Sequence, residues 1–416
     1  MNELKSRPFD AGKHFKEYIV TYVFLILSVT FTVISGRPMN DILYQIMSRL
    51  VRNLFIVLSL IIPIVSGMGI NFAITIGAMA AQVGMLLAIN WSLTGLGGIL
   101  VAALITAPLA GVFGFLIGSL LNRMKGQETI GSLILGYFAN GAYQLLFLFV
   151  FGMIIPLSSK VTIVGATGVR NTLDLTINGL QGAVDNVLKL PFGTALYIVS
   201  GIIALGAIAL YLTKKMSQKR FIALLVLPAV MCGVYSLPMI SVHFSNVYVP
   251  VLTFVFIALL CLFNAGIMKT RLGQQFRAVG QNRSVANAAG INVNRVRLIA
   301  IMVSTVFAGW GQILFIQNLG TLQTYSAHEM VGLYAGAAIL VGGASINRAT
   351  NTQAIVGCLL FHTLFVVAQD AGTVLFGDPV VGEYFRVFLC YGVIAIALVM
   401  YAWKGIKTAK RAEATR

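Results

Sequence analysis

The chain has 416 residues, of which 58% are hydrophobic and only 10% are charged, and its formal net charge is +17. This composition lies outside the range of soluble globular proteins. Apolar runs of about 20 residues, enough to cross a bilayer as helix, recur along the chain, and the strand alternation of an outer-membrane barrel is missing. The sequence therefore predicts an all-α, polytopic membrane bundle of about 10–12 transmembrane helices.

Residues 1–18 form a polar segment of mixed charge, and no small-residue cleavage site follows the first apolar run. We therefore expect no removable signal peptide. Twelve spans are predicted, with both termini on one side of the membrane. They are residues 17–36, 50–69, 71–92, 97–121, 130–155, 193–213, 220–241, 249–268, 297–317, 330–345, 352–375 and 384–403.

The basic residues are divided unequally between the two sides of this topology. With the termini inside, all but seven of the 29 Lys and Arg residues fall on the inner side, as they do in cytoplasmic loops. No nucleic acid is needed to explain the charge. Arg49 and Arg52 conflict with the pattern because they fall at an outer helix end, and a missed or extra crossing near residues 50–92 would explain them. The seven outer residues are Arg37, Arg49, Arg52, Lys160, Arg170, Lys189 and Arg386.

Two loops stand out by size. The outer one, residues 156–192, is polar and Gly-rich and long enough to cover the outer mouth or meet a partner there. The inner one, residues 269–296, predicts a short capped helix: Asn282 suits the N-cap, residues 283–289 suit two turns, and Gly290 suits the left-handed position after the helix. Arg277, Arg283, Arg295 and Arg297 are expected to surround this helix with charge.

A helix this short is unstable alone in water, so it needs a surface to pack against. Ala286, Ala288 and Ala289 leave its sides smooth, which suits docking into a groove of a soluble partner. An ordinary connector lying on anionic lipid head groups explains the same residues equally well.

The inner loop also carries a family pattern, formed by Gly280, Asn282, Ala286, Gly290 and Ile291 and followed by the small-residue helix STVFAGWGQ. It resembles the cytoplasmic loop of ABC importer permeases of the ribose, galactose and nucleoside (simple sugar) type, to which the branched-chain amino acid permeases are related. The segments GINFAITIGAMAAQVG at 69–84 and YAGAAILVGGAS at 334–345 resemble Gly-rich segments of the same family. Asn71 stands where its sugar permeases often have an acidic residue, which leaves the cargo open.

The resemblance implies a coupling helix that docks on an ATPase subunit through Gly280, Asn282, Arg283, Ala286, Ala289, Gly290 and Ile291. It also implies a second permease copy or a homologous permease, an extracytoplasmic solute-binding protein, and a place in the bacterial cytoplasmic (inner) membrane with both termini in the cytoplasm. The chain is longer than usual in the family, with the surplus at 156–245, which suggests an added helix pair and outer loop.

The chain has no motif for hydrolysing ATP. No G-x-x-x-x-G-K-[ST] is present, so ATP and magnesium are expected on the partner ATPase and no cofactor in this chain. H-E-x-x-H and G-x-S-x-G are also absent, and the four histidines are scattered, so we expect neither an enzyme nor a metal site. The acidic residues fall at span ends, loops or tails, which disfavours an ion-driven carrier. A passive channel stays possible.

A set of uncharged polar residues inside the predicted spans forms a candidate solute pathway, suited to a polyhydroxylated or nucleobase-bearing solute. The same residues also suit hydrogen bonds that hold helices together. The spacings Ala73–Gly77–Ala81, Gly114–Gly118 and Gly332–Gly336 predict close helix contacts. Residues 50–120 and residues 297–375 each contain a long span, a short Gly-rich span and a second long span, in that order. This pattern suggests an inverted repeat. The candidate pathway residues are Asn71, Thr75, Gln82, Asn140, Tyr143, Gln144, Gln312 and His362.

Overall fold

The structure is a computed structural model. It describes residues 18–124, 126–158, 161–163, 168–213, 216–345, 347–392, 395–396 and 399, without the side chains of residues 219 and 220. The polar segment 1–17, the C-terminal basic tail and the end of the span predicted at 384–403 lie outside the described residues.

Most of the part that the structure describes is helical, and it also contains two small two-stranded sheets and irregular loops. The helices are α1 (Ile19–Ser35), α2 (Met39–Ser59), α3 (Ile61–Val65), α4 (Ile74–Asn90), α5 (Gly95–Arg123), α6 (Glu128–Leu145), α7 (Phe192–Leu212), α8 (Gln218–Tyr235), α9 (Pro238–His243), α10 (Val251–Ile267), α11 (Arg271–Gln281), α12 (Arg283–Ala288), α13 (Val293–Leu319), α14 (Val331–Val341), α15 (Asn351–Phe376) and a last helix at 379–392, with a π-turn at Leu146–Val150. The strands are β1 (Thr172–Asp174), β2 (Lys189–Pro191), β3 (Tyr248–Pro250) and β4 (Thr321–Gln323).

Among the described residues, six helical segments are long and apolar enough to cross a membrane. A seventh would be α10 with α11, which bend by 76° at the break between them, and four further apolar helices are shorter. Each of the twelve predicted spans coincides with a helix over at least part of its length. The predicted all-α polytopic bundle is therefore confirmed, whereas the count of about 10–12 transmembrane helices and the inverted repeat stay predictions. The six segments are Met39–Val65, Gly95–Arg123, Glu128–Val150, Phe192–Leu212, Val293–Leu319 and Asn351–Phe376.

Helix α13 lies at the centre of the bundle and packs on α2, α4 and α5. Glycines make these contacts close. A Cβ on Gly114 would lie 2.8 Å from the Cα of Met302, one on Gly118 would lie 2.7 Å from Leu298, and one on Gly77 would overlap the carbonyl of Thr305. The small-residue spacings on α4 and α5 therefore serve packing within this chain, where small side chains let helix backbones approach.

The start of the second span was predicted too late. Helix α2 begins at Met39, well before residue 50, because its first half is amphipathic: Ile46 and Leu50 are buried while polar residues occupy the other face. A hydropathy reading misses such a half-polar segment. Arg49 and Arg52 consequently lie inside the bundle, partway along α2, and no additional crossing is needed to explain them. The span predicted at 130–155 is also shorter, since its helix ends at Val150.

The surplus segment contributes the long outer loop and a pair of helices. Helices α7 and α8 pack chiefly on each other, and most of their apolar side chains are exposed. The chain enters α7 from β2 and returns to the bundle through β3, which pairs antiparallel with β2. The pair therefore stands beside the bundle and is joined to it by a two-stranded ladder.

The outer loop covers the outer end of α13. Strand β1 pairs antiparallel with β4, placing Leu173 opposite Leu322, and both side chains are buried. Two side-chain hydrogen bonds continue this pairing beyond β4. The Thr324 hydroxyl donates to the carbonyl of Arg170, and the Tyr325 hydroxyl donates to the carbonyl of Val169, each at 2.8 Å. The loop thereby positions the segment between β4 and α14.

Candidate functional site

The inner loop forms the short capped helix that its sequence predicts. The backbone N–H of Val285 donates to the side chain of Asn282 at 3.1 Å, which closes the N-terminus of α12. Gly290 has φ +80°, and the N–H of Ile291 donates to the carbonyl of Ala286 at 3.0 Å. This is the glycine-based C-terminal cap expected from residues 286–291.

The loop is seated on the backbone break between α3 and α4. Gly67 and Gly69 both have left-handed φ, +73° and +70°, so the helix stops there and exposes its backbone. A Cβ on Gly67 would lie 2.8 Å from the Cα of Gly280, and one on Gly280 would overlap the carbonyl of Val65. Gly280 is therefore required by close backbone contact.

One carboxylate joins the loop to the bundle. Glu128, at the start of α6, accepts from Arg283 of α12 and from Arg297 of α13, each with a nitrogen 2.7 Å from Oε1. Arg283 also donates to the carbonyl of Gly67 at 2.8 Å. Arg297 is only 2% exposed, so the expectation that it adds surface charge around the loop is wrong. Its burial follows from pairing with Glu128, since a buried charge is tolerated only when paired.

The outward side of α12 carries one larger apolar side chain, Val285, among small and polar ones. Val285 is 64% exposed, and Ser284, Ala288 and Ala289 are exposed beside it. Ala286 is instead 3% exposed and faces the bundle, so its small side chain seats the helix and offers no surface to a partner. Of the three alanines, only Ala288 and Ala289 therefore lie on the outward side with Val285, and docking of this side on an ATPase stays a prediction.

The second candidate region, near the outer side, is a buried polar network. Tyr143 donates from its hydroxyl to the carbonyl of Thr324 at 2.9 Å. Its single proton cannot also serve Gln82, so the Gln82 amide nitrogen donates to the Tyr143 hydroxyl and lies 3.0 Å from Nδ1 of His328. Nδ1 is then the acceptor, and Nε2–H of His328 donates to Asn140 at 2.7 Å.

This network borders a cavity of about 200 Å³ between α4, α6 and α14. Phe72 and Tyr137 add aromatic rings to its wall, and Tyr137, 63% exposed, lies at the rim. Gly332 packs tightly against this wall, since a Cβ there would lie 2.6 Å from the carbonyl of Phe72. The cavity offers neutral donors and acceptors with one carboxylate. Its polar wall consists of Thr75, Asn140, His328 and Glu329.

Asn71 does not share a helical face with Thr75 and Gln82, contrary to prediction. Helix α4 begins only at Ile74, because the break at Gly67 and Gly69 extends past Asn71. The Asn71 side chain instead accepts from the backbone N–H of Ala73 at 3.1 Å and is 1% exposed. It stabilises the turn that leads into α4.

The remaining predicted pathway residues are dispersed. Gln312 is buried and donates to the carbonyl of Ala327 at 3.0 Å, beside the network. Gln144 is partly buried and borders none of the cavities described here. His362 lies on α15, where it lines a different cavity. The structure thus brings Thr75, Gln82, Asn140 and Tyr143 to one cavity and network, with Gln312 beside them, and places Asn71, Gln144 and His362 outside the lining of that cavity. Their role in a solute pathway stays a prediction.

His328 was missed, although it joins the network from its centre. It is fully buried in the segment between β4 and α14, and burial lowers the pKa of its imidazole to about 4. The sequence carries one signal for it: His328 lies in the polar segment AHE, in the loop between two apolar runs. That signal shows only that the segment is polar, because its partners Gln82 and Asn140 are distant in the chain.

With this geometry in place, comparison with known proteins decides the family. The family described as branched-chain amino acid transport system / permease component matches residues 42–398, most of the chain. The chain belongs to this family. No solved structure matches it significantly.

Relatives in this family include permeases with different named cargoes. The autoinducer 2 import system permease protein LsrC of Enterobacter sp. (strain 638) is 33% identical over 27% of this chain and 32% of its own length. The guanosine ABC transporter permease protein NupQ of Bacillus subtilis is 30% identical over 26% and 34%. The xylose transport system permease protein XylH of Haemophilus influenzae is 30% identical over 32% and 34%. The matched region thus spans about a third of each relative.

Proposed function

We propose that the protein is the membrane permease subunit of a bacterial ABC importer, moving a simple sugar or a nucleoside across the inner membrane. The observation that carries this proposal is the seating of α12. This capped helix packs on the backbone break at Gly67 and is held there by the ion pair of Arg283 with Glu128. Its exposed Val285 lies on the side of the bundle that is predicted to face the cytoplasm. Movement of α12 would reach α6 and α13 directly through Glu128.

The driving force would come from a separate ATPase subunit. ATP and magnesium would bind that subunit, and its closure would push on the surface around Val285. This chain would form the solute pathway and change its shape, but it would catalyse no reaction. We expect a second permease copy or a homologous permease, and a solute-binding protein at the outer side.

A neutral polar cargo is supported by the cavity beside His328. Aromatic rings from Phe72 and Tyr137 and hydrogen-bonding groups from Asn140 and His328 suit an uncharged ring with hydroxyl groups. The volume of about 200 Å³ is smaller than the roughly 300–1,000 Å³ of pockets for drug-sized ligands, so the solute would be small. The relatives named for guanosine, xylose and autoinducer 2 point the same way.

The test is co-purification from the protein's own host. Tagged full-length protein is isolated in mild detergent, and the accompanying polypeptides are identified by mass spectrometry. We expect one that carries G-x-x-x-x-G-K-[ST]. Val285→Asp should reduce its recovery at least tenfold, because a charge enters the proposed contact. Val187→Asp is the matched control: Val187 is 55% exposed, but it lies in the outer loop.

Two results would contradict the proposal. If no such ATPase accompanies the wild-type protein, the importer assignment fails and a channel or secondary carrier replaces it. If the ATPase is recovered equally with Val285→Asp, α12 is a lipid-facing connector. Screening the accompanying solute-binding protein with sugars, nucleosides and branched-chain amino acids would identify the cargo.

A further inference from the structure

A second cavity, of about 210 Å³, lies between α2, the outer end of α13, α14 and α15. It shares Met330 with the first cavity but differs from it in charge. Two arginines and a histidine line it, and none of the described residues in its lining carries a carboxylate. Its polar lining consists of Arg49, Arg52, Asn53, Gln323, Ser326, Tyr334 and His362.

Arg49 enters this cavity from within the bundle. At a rise of about 1.5 Å per residue, it lies about 15 Å along α2 from Met39. Its guanidinium carbon is 4.2 Å from the centroid of the Phe365 ring, and its buried Nε has no acceptor within the described ranges of the chain. Among the described residues, no Asp or Glu forms an ion pair with it.

The neighbouring arginines are compensated, unlike Arg49. Nε of Arg52 donates to Asn318 at 2.5 Å, and Asn318 in turn donates to Asp185. Arg386 stacks on the same Phe365 ring, with its guanidinium carbon 4.3 Å from the centroid, and forms an ion pair with Glu383.

The other nearby carboxylate, Asp370, pairs with Arg37 at 3.1 Å. Arg52 and Arg386 are both close enough to repel Arg49 electrostatically. The cavity therefore holds one positive charge that no acidic residue in the described part of the chain balances.

His362 adds a second unpartnered group. Its side chain is 1% exposed, and neither ring nitrogen has a hydrogen-bond partner among the residues that the structure describes. At least one of these nitrogens carries a proton in any tautomer. Buried polar groups are almost always paired, so a group that lacks a partner in the protein points to a partner from outside it.

We propose that this cavity binds an oxyanion, the phosphate or carboxylate group of a small solute or of a lipid head group. The planar fork of Arg49 suits two parallel hydrogen bonds to such a group, and an N–H of His362 supplies a third donor. An ionised residue inside a membrane bundle marks a functional site by default. The proposal is independent of the ATPase partner and of the cargo of the first cavity.

The test uses the full-length protein purified and delipidated in detergent. Sodium phosphate and sodium acetate are titrated at constant ionic strength, and the unfolding temperature is recorded. We expect a saturable rise with at least one of them. The half-saturating concentration should increase at least tenfold in Arg49→Gln and in His362→Phe, which keeps a buried ring but removes the donor. Lys189→Gln, which removes an exposed outer cation, should leave it unchanged.

Native mass spectrometry before delipidation distinguishes the two sources. A bound phospholipid that disappears in Arg49→Gln identifies a lipid head group, and anion binding without such a lipid identifies a free solute. The proposal is overturned if the wild-type protein shows neither a saturable response to either anion nor an Arg49-dependent lipid. It is also overturned if Lys189→Gln weakens binding as much as Arg49→Gln does.

Discussion

Arg283 of α12 and Glu128 of α6 form an ion pair, with Nη1 2.7 Å from Oε1, and Arg297 of α13 binds the same oxygen from inside the bundle. One carboxylate therefore connects the inner loop to two helices. Any displacement of α12 has to break this pair or carry α6 and α13 with it.

Glu128→Gln should destabilise the protein strongly. Arg297, 2% exposed, would keep its charge without a counter-charge, and removing one partner of a buried pair costs about 3–5 kcal/mol. The free energy of unfolding in detergent measures this. Adding Arg297→Met should restore part of the loss, because the remaining buried charge is removed.

The matched control for this prediction is Asp41→Asn. Asp41 pairs with Arg37 in a partly exposed setting, where an ion pair contributes about 0–1 kcal/mol. An equal loss in Glu128→Gln and Asp41→Asn would show that the Glu128 pair contributes little.

Gly290→Val should uncouple solute uptake from ATP hydrolysis in the reconstituted complex. A left-handed φ costs an L-residue about 1–2 kcal/mol, so valine would distort the end of α12. No atom of the described residues lies within 4 Å of a Cβ at this position, so the effect would arise from the backbone. Gly290→Asn tests this, because Asn tolerates the left-handed region and should retain uptake per ATP. Loss of uptake in both variants would instead assign Gly290 to a contact with the partner.

Tyr143→Phe should lower the free energy of unfolding by about 1–3 kcal/mol, since buried groups at Gln82 and Thr324 lose their hydrogen-bond partner. Tyr137→Phe is the comparison: this residue is 63% exposed at the cavity rim, and its change should stay within about 0.5 kcal/mol. Chemical unfolding followed by circular dichroism distinguishes them. Equal stability of the two variants would mean that the network contributes nothing measurable.

Stability should decrease on acidification because of His328. The pKa of this buried imidazole is lowered to about 4, against 6.5 for the ordinary group, so the folded state disfavours its protonation. The stabilisation that comes from keeping this imidazole neutral is fully present above pH 6.5. As the pH drops from 6.5 towards 4, the free energy of unfolding should decrease by about 3 kcal/mol. Unfolding at stepped pH values measures the slope. His328→Gln should reduce it, and an unchanged slope would assign the pH dependence to other groups.

The cap of α12 was predictable because its determinants are local. Asn282 and Gly290 act on backbone atoms within a few residues, and they form the predicted bonds. The orientation of the helix was not predictable. Whether Ala286 or Val285 faces outward depends on Arg283 meeting Glu128, a residue of a distant helix.

The same distinction explains the outer region. Thr75, Gln82, Asn140 and Tyr143 were recognised as polar groups within apolar runs, and they border one cavity and network. His328 was not recognised, because its segment is held against Tyr143 by contacts with parts of the chain that are distant in sequence, including the pairing of β1 with β4 and the bond from Gln312. Helix α2 was predicted too short because its first half is amphipathic. The polar residues on one face lower the mean hydropathy of this half below that of an ordinary span.

The β2–β3 ladder has a consequence for the architecture of the chain. Pro191 of β2 lies opposite Tyr248 of β3, so the start of α7 and the return of the chain after α9 are adjacent in space. A tight turn across this ladder would close it without moving either strand, since antiparallel neighbours need only about two residues to join. Residues 192–247 thus form a detachable side-arm, whose loss would leave the remaining helices connected in their original order.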